Sequence, residues 1–345
     1  MRNRSRIIGI ALTLALVFGV TSMSSAADPK VIQWKFQDTY PGSSGPATYL
    51  NKPFIKWIEQ VSNGRIKVTR YEPGSLASVN DTYDALSRGV FDIAALYPGF
   101  YTGVMVEGNV EQGLPWGWTD AKAHAISLFQ FGLFDIMKKT YAAHNLQLIA
   151  HYTMGDVYNI GTVKPVKKLS DLKGMKIRAV GVYADYVKAL GGVPVSIPYG
   201  ELYMALKMGT VDGVLASAGA LETQKLGEVI HNYLLPTTNS IGFVVAVNKK
   251  SWDALPADLK HVLETCAPQA AVAISALYSG SVENSMVVSR QKYKVKFNTL
   301  SPEDQQKAMK LSMPIWENLA SKSPDSKKAV EAVKATLKYL GRDNF

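Results

Sequence analysis

A single cysteine, Cys266, leaves this 345-residue chain no internal disulfide. It sits in a helical pattern with no histidine nearby, which reads as a small core residue rather than a nucleophile. None of the five histidines pairs at HxH or HExxH spacing, so the sequence offers no metal site. GxSxG and GxGxxG are both absent, which removes the common serine-hydrolase and dinucleotide-cofactor signals. GSSG at 42–45 lacks the lysine and spacing of a phosphate loop and reads as the start of a helix. Acid pairs occur, but spacing singles out none. Basic residues are spread along the chain without a Lys/Arg cluster interleaved with aromatics, which argues against nucleic acid. Together these absences favour a binding protein without cofactor over an enzyme.

Long apolar runs are scarce as well. Residues 7–20, IIGIALTLALVFGV, form the one uncharged stretch of note, and about 14 residues is short for a membrane span, which needs roughly 20. MRNRSR precedes it and the small residues TSMSSAADP follow, the order of a secretory signal peptide with cleavage expected after Ala26. No later segment looks transmembrane, so no membrane insertion is expected after cleavage. The formal net charge is +10, and removing residues 1–26, with three arginines and no acids, leaves +7. That excess weakly suits anionic small ligands. An exported chain of about 319 residues without disulfides must be held by its core, most simply as two lobes.

Strand patterns VIQWKF (31–36) and IKVTRY (66–71) bracket a helix pattern with Tyr49, Leu50, Phe54, Ile55, Ile58 and Val61 on one stripe and Gly64 at its end. This β-α-β order favours a parallel sheet. An internal echo follows. YDALSRGVFD (83–92) and YMALKMGTVD (203–212) share Tyr-x-Ala-Leu-x-x-Gly-x-x-Asp, 120 residues apart. Each is preceded by a strand, IKVTRY or VPVSIP (193–198), and runs into another, FDIAALY (91–97) or VDGVLAS (211–217). Two α/β lobes with the same strand-helix-strand unit are expected, 27–152 and 153–242, each completed by part of 243–345. From Ser251 onward the chain reads as nearly all helix, including an unusually long one at about 257–292 that could brace both lobes. Ser301, Pro302 and the following acids mark another helix start.

Arg178 stands out in DLKGMKIRAVG (171–181). It interrupts a short apolar strand, where an unpaired guanidinium costs several kcal/mol. Its fork can hold a ligand carboxylate through two parallel hydrogen bonds in an interlobe cleft. An internal acid as its partner is the other reading that spacing allows.

DLKGMKIRAVG, followed by ALGGVPVSIPYGELYMALKMGTVDG, closely resembles the DctP-type solute-binding proteins of TRAP (tripartite ATP-independent periplasmic) transporters. The likeness extends more loosely through GRIKVTRYEPGSL, RGVFDIA and LPWGW. It implies an α/β, two-lobed periplasmic solute-binding fold with mixed sheets, an interlobe cleft and a long helix bracing both lobes. It also implies that Arg178 clamps a ligand carboxylate, so that its partner is the ligand. The chain departs from the family's sugar-acid binders. No second arginine occurs in YTMGDVYNIG (152–161), where Asp156 or Tyr158 stands, and Leu215, Ala216 and Ser217 replace Glu-Asn-Pro after the V-D-G. The acid and aromatic of keto-acid binders, some of which hold a metal, are missing from that stretch too. A less polar pocket is expected, with Tyr97, Tyr158 and Tyr199 as candidate walls and Asn239, Ser217, Gln37 and Thr39 as further candidates. Glu201, at the start of the second motif's helix, suits the helix dipole better than catalysis.

The resulting expectation is a periplasmic receptor without enzymatic activity, cofactor or metal. It would capture a small organic acid and pass it to a TRAP membrane permease. An ABC-type or sensor-coupled binding protein is the alternative, and an exported enzyme on the same fold a more distant one.

Overall fold

The computed structural model describes residues 31–154 and 157–342. The expected signal peptide and Asp156 lie outside the described residues. Eleven strands form two sheets, each flanked by helices. The first lobe contains β1 (Ile32–Gln37), β2 (Ile66–Tyr71), β3 (Ile93–Leu96) and β4 (Leu146–Thr153). The second holds β5 (Tyr158–Thr162), β6 (Lys176–Arg178), β7 (Val193–Val195), β8 (Gly213–Ser217) and β9 (Asn232–Leu235). Then β10 (Gly242–Asn248) returns to the first sheet and β11 (Lys296–Thr299) to the second. The orders are β2-β1-β3-β10-β4 and β11-β9-β5-β8-β6-β7. In the first sheet β10 runs antiparallel to both neighbours, and in the second β5 does.

The sequence echo is a true structural repeat. In one lobe β2 and β3 flank β1, and in the other β7 and β8 flank β6. The shared motif residues explain themselves physically. Ala85 and Leu86, like Ala205 and Leu206, bury the helix face. Gly89 (φ +78°) and Gly209 (φ +71°) end the helices Thr82–Ser87 and Leu202–Lys207 in the left-handed region. The closing aspartates, Asp92 and Asp212, each accept a hydrogen bond at 2.8 Å from the backbone of the central strand, at Lys35 and Lys176. The repeat makes Gln37, paired with Tyr71 and Ala94, the counterpart of Arg178, paired with Val195 and Val214.

The helix after β1 buries Leu50, Phe54 and Ile58 as the stripe predicts, but Tyr49 stays exposed. Its first turn, Ala47–Asn51, is a π-turn, and Lys52–Val61 is α-helical. Asn63 (φ +52°) and Gly64 (φ +73°) both take the left-handed region at its end, and the Gly64 N–H bonds Glu59 O.

The chain passes directly between lobes from β4 to β5 and from β9 to β10, and a third time, from β10 to β11, through a long helix. The two direct crossings are tied by Met154 N–H to Ile241 O (2.8 Å) and Thr238 N–H to Tyr158 O (2.9 Å). One 35-residue helix, Ala257–Gln291, touches both lobes. Its Ser275 accepts from Thr153 N in the first, and its Ser285 donates to Glu222 in the second. Cys266 lies on the solvent side of this helix and is exposed. Leu263, Ala267 and Ala271 take the buried face instead, correcting the reading of Cys266 as core. Ser301 caps Pro302–Ala320 by accepting from Asp304 N–H. No helix of the described residues is long and apolar enough to cross a membrane.

The charge is not evenly spread along the chain. Residues 31–154 carry ten basic and ten acidic side chains. Segment 164–176 carries five lysines against one aspartate, and 290–296 carries four cations and no acid, with Tyr293 between them. This corrects the expectation that no basic cluster with aromatics exists.

Candidate ligand-binding site

Arg178 ends β6 at the carboxyl edge of the second sheet, facing the first lobe. It is 4% exposed. Its Nε donates to Ile197 O at 2.9 Å, which fixes the plane of the fork. Among the described residues no carboxylate lies within 4.0 Å of it, so the internal-acid reading fails there. Its outer nitrogens face a small chamber lined by Tyr40, Tyr97, Phe100, Met154, Tyr158, Tyr199, Ala216, Ser217 and Ile241. The counterpart Gln37 has no such freedom. Its amide donates to Asp38 O and Glu72 O and accepts from Leu76 N–H.

The walls come from both lobes. Tyr40 is set by Asp38, whose carboxylate accepts from Tyr40 N–H, Asn51 and Arg70. The Tyr40 ring meets Tyr199 of the second lobe edge-on at 5.1 Å and Phe243 at 5.2 Å. Tyr158, the first residue of β5, donates to Leu215 O at 3.1 Å and leans on Tyr183. Pro41 and Gly200 close the rim, where a Cβ on Gly200 would sit 3.4 Å from the Pro41 ring. The chamber left inside is about 10 Å³, room for roughly one water. Any larger molecule therefore enters only when the walls part.

The electrostatics are one-sided. Burial pushes the Tyr40, Tyr97 and Tyr199 phenols well above their ordinary pKa of 10, although the Arg178 charge pulls each back. Burial also raises Tyr158, again opposed by Arg178. All four stay neutral at physiological pH. Arg178 is thus the one formal charge in the lining, surrounded by phenol hydroxyls that can turn toward an acceptor. Nothing in the walls neutralises it, so the chamber carries an uncompensated positive charge.

Of the residues singled out in the sequence, Arg178, Tyr97, Tyr158, Tyr199 and Ser217 line this one chamber. Gln37, Thr39 and Asn239 lie outside its lining. Thr39 donates to Ala95 O at 2.5 Å and borders a separate outer groove with Tyr199, Gly200 and Glu201. Asn239 donates to Ser240 O and packs where a side chain on Gly113 (φ +99°) would otherwise stand. Ala216 lies in the stretch that replaces Glu-Asn-Pro, whereas Tyr40, Phe100, Met154 and Ile241 had no sequence signal. They belong to loops and strand ends that only the folded chain assembles.

A second buried polar cluster lies behind the crossing strands. Glu111 is wholly buried and accepts from Tyr141 at 2.7 Å, and Tyr141 bonds Tyr101 at 2.5 Å. His151 Nε2 is 3.5 Å from the other Glu111 oxygen, and the His124 ring lies 4.7 Å from that of His151, tilted by 59°. Burial raises Glu111 to about 8 and lowers His151 to about 3. These histidines are 27 residues apart, which spacing rules for metal motifs do not reach. Among the described residues no group of three His, Cys, Asp or Glu is arranged to hold a metal ion.

Comparison with known proteins agrees with this architecture. The chain is 27% identical over 325 residues to a monocarboxylate 2-oxoacid-binding periplasmic protein of Nostoc sp., covering 93% of this chain and 88% of that one. It is 26% identical over 332 residues to the C4-dicarboxylate-binding periplasmic protein DctP of Rhodobacter capsulatus, covering 94% and 95%. A crystal structure of a TRAP periplasmic solute-binding protein from Chromohalobacter salexigens, with bound (S)-(+)-2-amino-1-propanol, superposes with a TM-score of 0.81. It is 20% identical and covers 90% of this chain and 97% of that one. Residues 40–323 match the DctP family model, described as bacterial extracellular solute-binding protein, family 7. With that match spanning most of its length, the chain belongs to the DctP family of bacterial extracellular solute-binding proteins.

Proposed function

We propose that this protein is the periplasmic receptor of a TRAP transporter for a small organic acid, carried by one carboxylate on Arg178 and delivered to a membrane permease. The observation that carries the reading is the buried guanidinium with its outer nitrogens free and no internal acid beside it. A bidentate carboxylate would supply the missing charge and two charge-assisted hydrogen bonds. Tyr199, whose buried hydroxyl has no partner within the protein, would supply a further donor. The absence of a second cation in the lining favours a monocarboxylate with an apolar or aromatic body over a dicarboxylate. Contacts such as Tyr40 with Tyr199 would form as the lobes close over the ligand.

The Nostoc relative's name, a 2-oxoacid monocarboxylate binder, is consistent with this class. The amino alcohol in the Chromohalobacter structure marks the competing one, because aromatic walls also suit a cation. Arg178 opposes that here. The test is a thermal-shift screen of residues 27–345 against organic acids, their amides and small amines. Stabilisation confined to free acids and lost in Arg178→Ala is expected. Stabilisation by amines or amides that survives the substitution would overturn the reading.

A further inference from the structure

The end of the second lobe away from the chamber is its most strongly charged surface. All strands of that sheet except β5 run toward the chamber, so their leading loops gather at the opposite end together with the segment that leaves β5. Backbone bonds tie these loops to one another: Asp212 N–H to Lys176 O, His231 N–H to Thr162 O and Lys296 N–H to His231 O. The loop after β5 brings Lys164, Lys167 and Lys168 there, and the start of β6 brings Lys173 and Lys176. The approach to β11 adds Lys292, Lys294 and Lys296. All eight are exposed, and none forms an ion pair among the described residues. Of the acids at this end, Asp171 and Asp212 accept from backbone N–H groups of the same loops, Asp304 accepts from Leu169 N–H, and Glu228, in the loop before β9, accepts from the Tyr203 hydroxyl.

The same end carries apolar side chains with no partner to cover them. Met208, at the end of the helix Leu202–Lys207, is 73% exposed, and Val193, at the start of β7, is 47% exposed. Tyr293 and Phe297 are half-buried beneath cations, with Lys292 over one ring and Arg290 over the other. Cations, an exposed methionine and half-buried aromatics on one face suit the boundary of an anionic bilayer, where lysines meet phosphate and apolar groups the acyl edge. A nucleic acid would use the charge but not the apolar side chains.

We propose that this pole of the second lobe docks the protein on membranes rich in anionic phospholipid headgroups. Arg178 lies at the other end of the same sheet, so docking leaves the chamber mouth free. Attraction of about 1 kcal/mol per lysine near the surface corresponds to roughly fivefold in partitioning each. The weak net charge of a long chain thereby becomes a strong local one, and salt should screen it over about 8 Å at physiological ionic strength.

The test is co-sedimentation of residues 27–345 with vesicles of 30% phosphatidylglycerol in phosphatidylcholine, against phosphatidylcholine alone. Binding to the anionic vesicles, reduced on raising salt from 50 to 300 mM, is expected. Lys164→Glu with Lys167→Glu and Lys168→Glu should lower it more than a hundredfold. Lys327→Glu with Lys328→Glu, on the helix Pro324–Tyr339 beside the first lobe, should leave it within about twofold. Circular dichroism of each variant checks that the fold is kept. Equal sedimentation with both vesicle types would overturn the proposal, as would equal loss in both variants. Preferential binding of duplex DNA at matched phosphate would overturn it too, assigning the face to polyanions at large.

Discussion

Replacing Arg178 by methionine separates a ligand clamp from a structural arginine. Methionine keeps much of the stem volume and removes the charge. A structural arginine in a core would leave an orphaned partner, at a cost of about 3–5 kcal/mol. Here the guanidinium has no acid beside it and one carbonyl partner, Ile197 O. Losing that bond exposes a buried carbonyl at a cost of about 1–3 kcal/mol, while removing an unpaired buried charge recovers a comparable amount. The ligand-free stability of Arg178→Met should therefore stay within about 2 kcal/mol of the parent. Binding should respond very differently. Two charge-assisted hydrogen bonds at about 1.5–3 kcal/mol each are lost, which weakens Kd by roughly a hundredfold to ten-thousandfold. Isothermal titration with the best acid from the screen, beside chemical denaturation without it, reads both quantities. Acid affinity within threefold of the parent, or a large loss of ligand-free stability, would refute the reasoning.

The pH dependence follows from the buried cluster. Between pH 4.5 and about 8 folded Glu111 keeps a proton that the unfolded chain releases, so its contribution to stability falls as pH rises. His151, lowered from 6.5 to about 3, works the other way below pH 6.5. Above pH 6.5 Glu111 acts without that opposition, and stability should drop by about 2 kcal/mol between pH 6.5 and 8. Thermal melts should show the drop, and Glu111→Gln should flatten it; an unchanged slope in that variant would rule Glu111 out as its source. Tyr199→Phe removes a hydroxyl without a protein partner, so ligand-free stability should hold while acid affinity falls about threefold to tenfold by titration. Gly242→Ala would drive a Cβ into Glu111 O and to within 2.8 Å of the His151 ring, and should cost roughly 1–3 kcal/mol in denaturant melts.

The repeat was legible because its signals are local. A left-handed glycine after a helix and an aspartate that ties back to a neighbouring strand must occupy fixed offsets, and both copies keep them. Arg178 was legible because a charge in an apolar strand is improbable without a reason. The walls were less so. Tyr97, Tyr158 and Tyr199 could be nominated by position, but Tyr40 and Phe100 meet the chamber through loops whose course depends on long-range contacts. Gln37 and Asn239 are polar, buried and near crossings, as a ligand contact would be. The Gln37 amide is taken up by backbone partners and the Asn239 NH2 group by Ser240 O, partners that no spacing rule reveals. Cys266 failed for a related reason: helical periodicity fixes a stripe, but here the stripe runs through Leu263 and Ala267.

The placement of β10 bears on how the chain acquires its fold. β10 stands between β3 and β4, yet it is made from residues 242–248, almost a hundred positions after β4. Until that strand arrives, the inner edges of β3 and β4 have no neighbour, and the first sheet is two separate pieces. The second sheet, by contrast, is continuous from β9 to β7 within residues 158–235, and β11, at 296–299, only adds an edge strand to it. The first sheet cannot close on its own segment of sequence, so its folding depends on contacts of long sequence separation, which form slowly. A chain threaded through a membrane from its N-terminus would therefore remain without a finished first sheet until residues 242–248 had crossed. Slow closure keeps such a chain unfolded during transit and postpones its stability until the last third is in place.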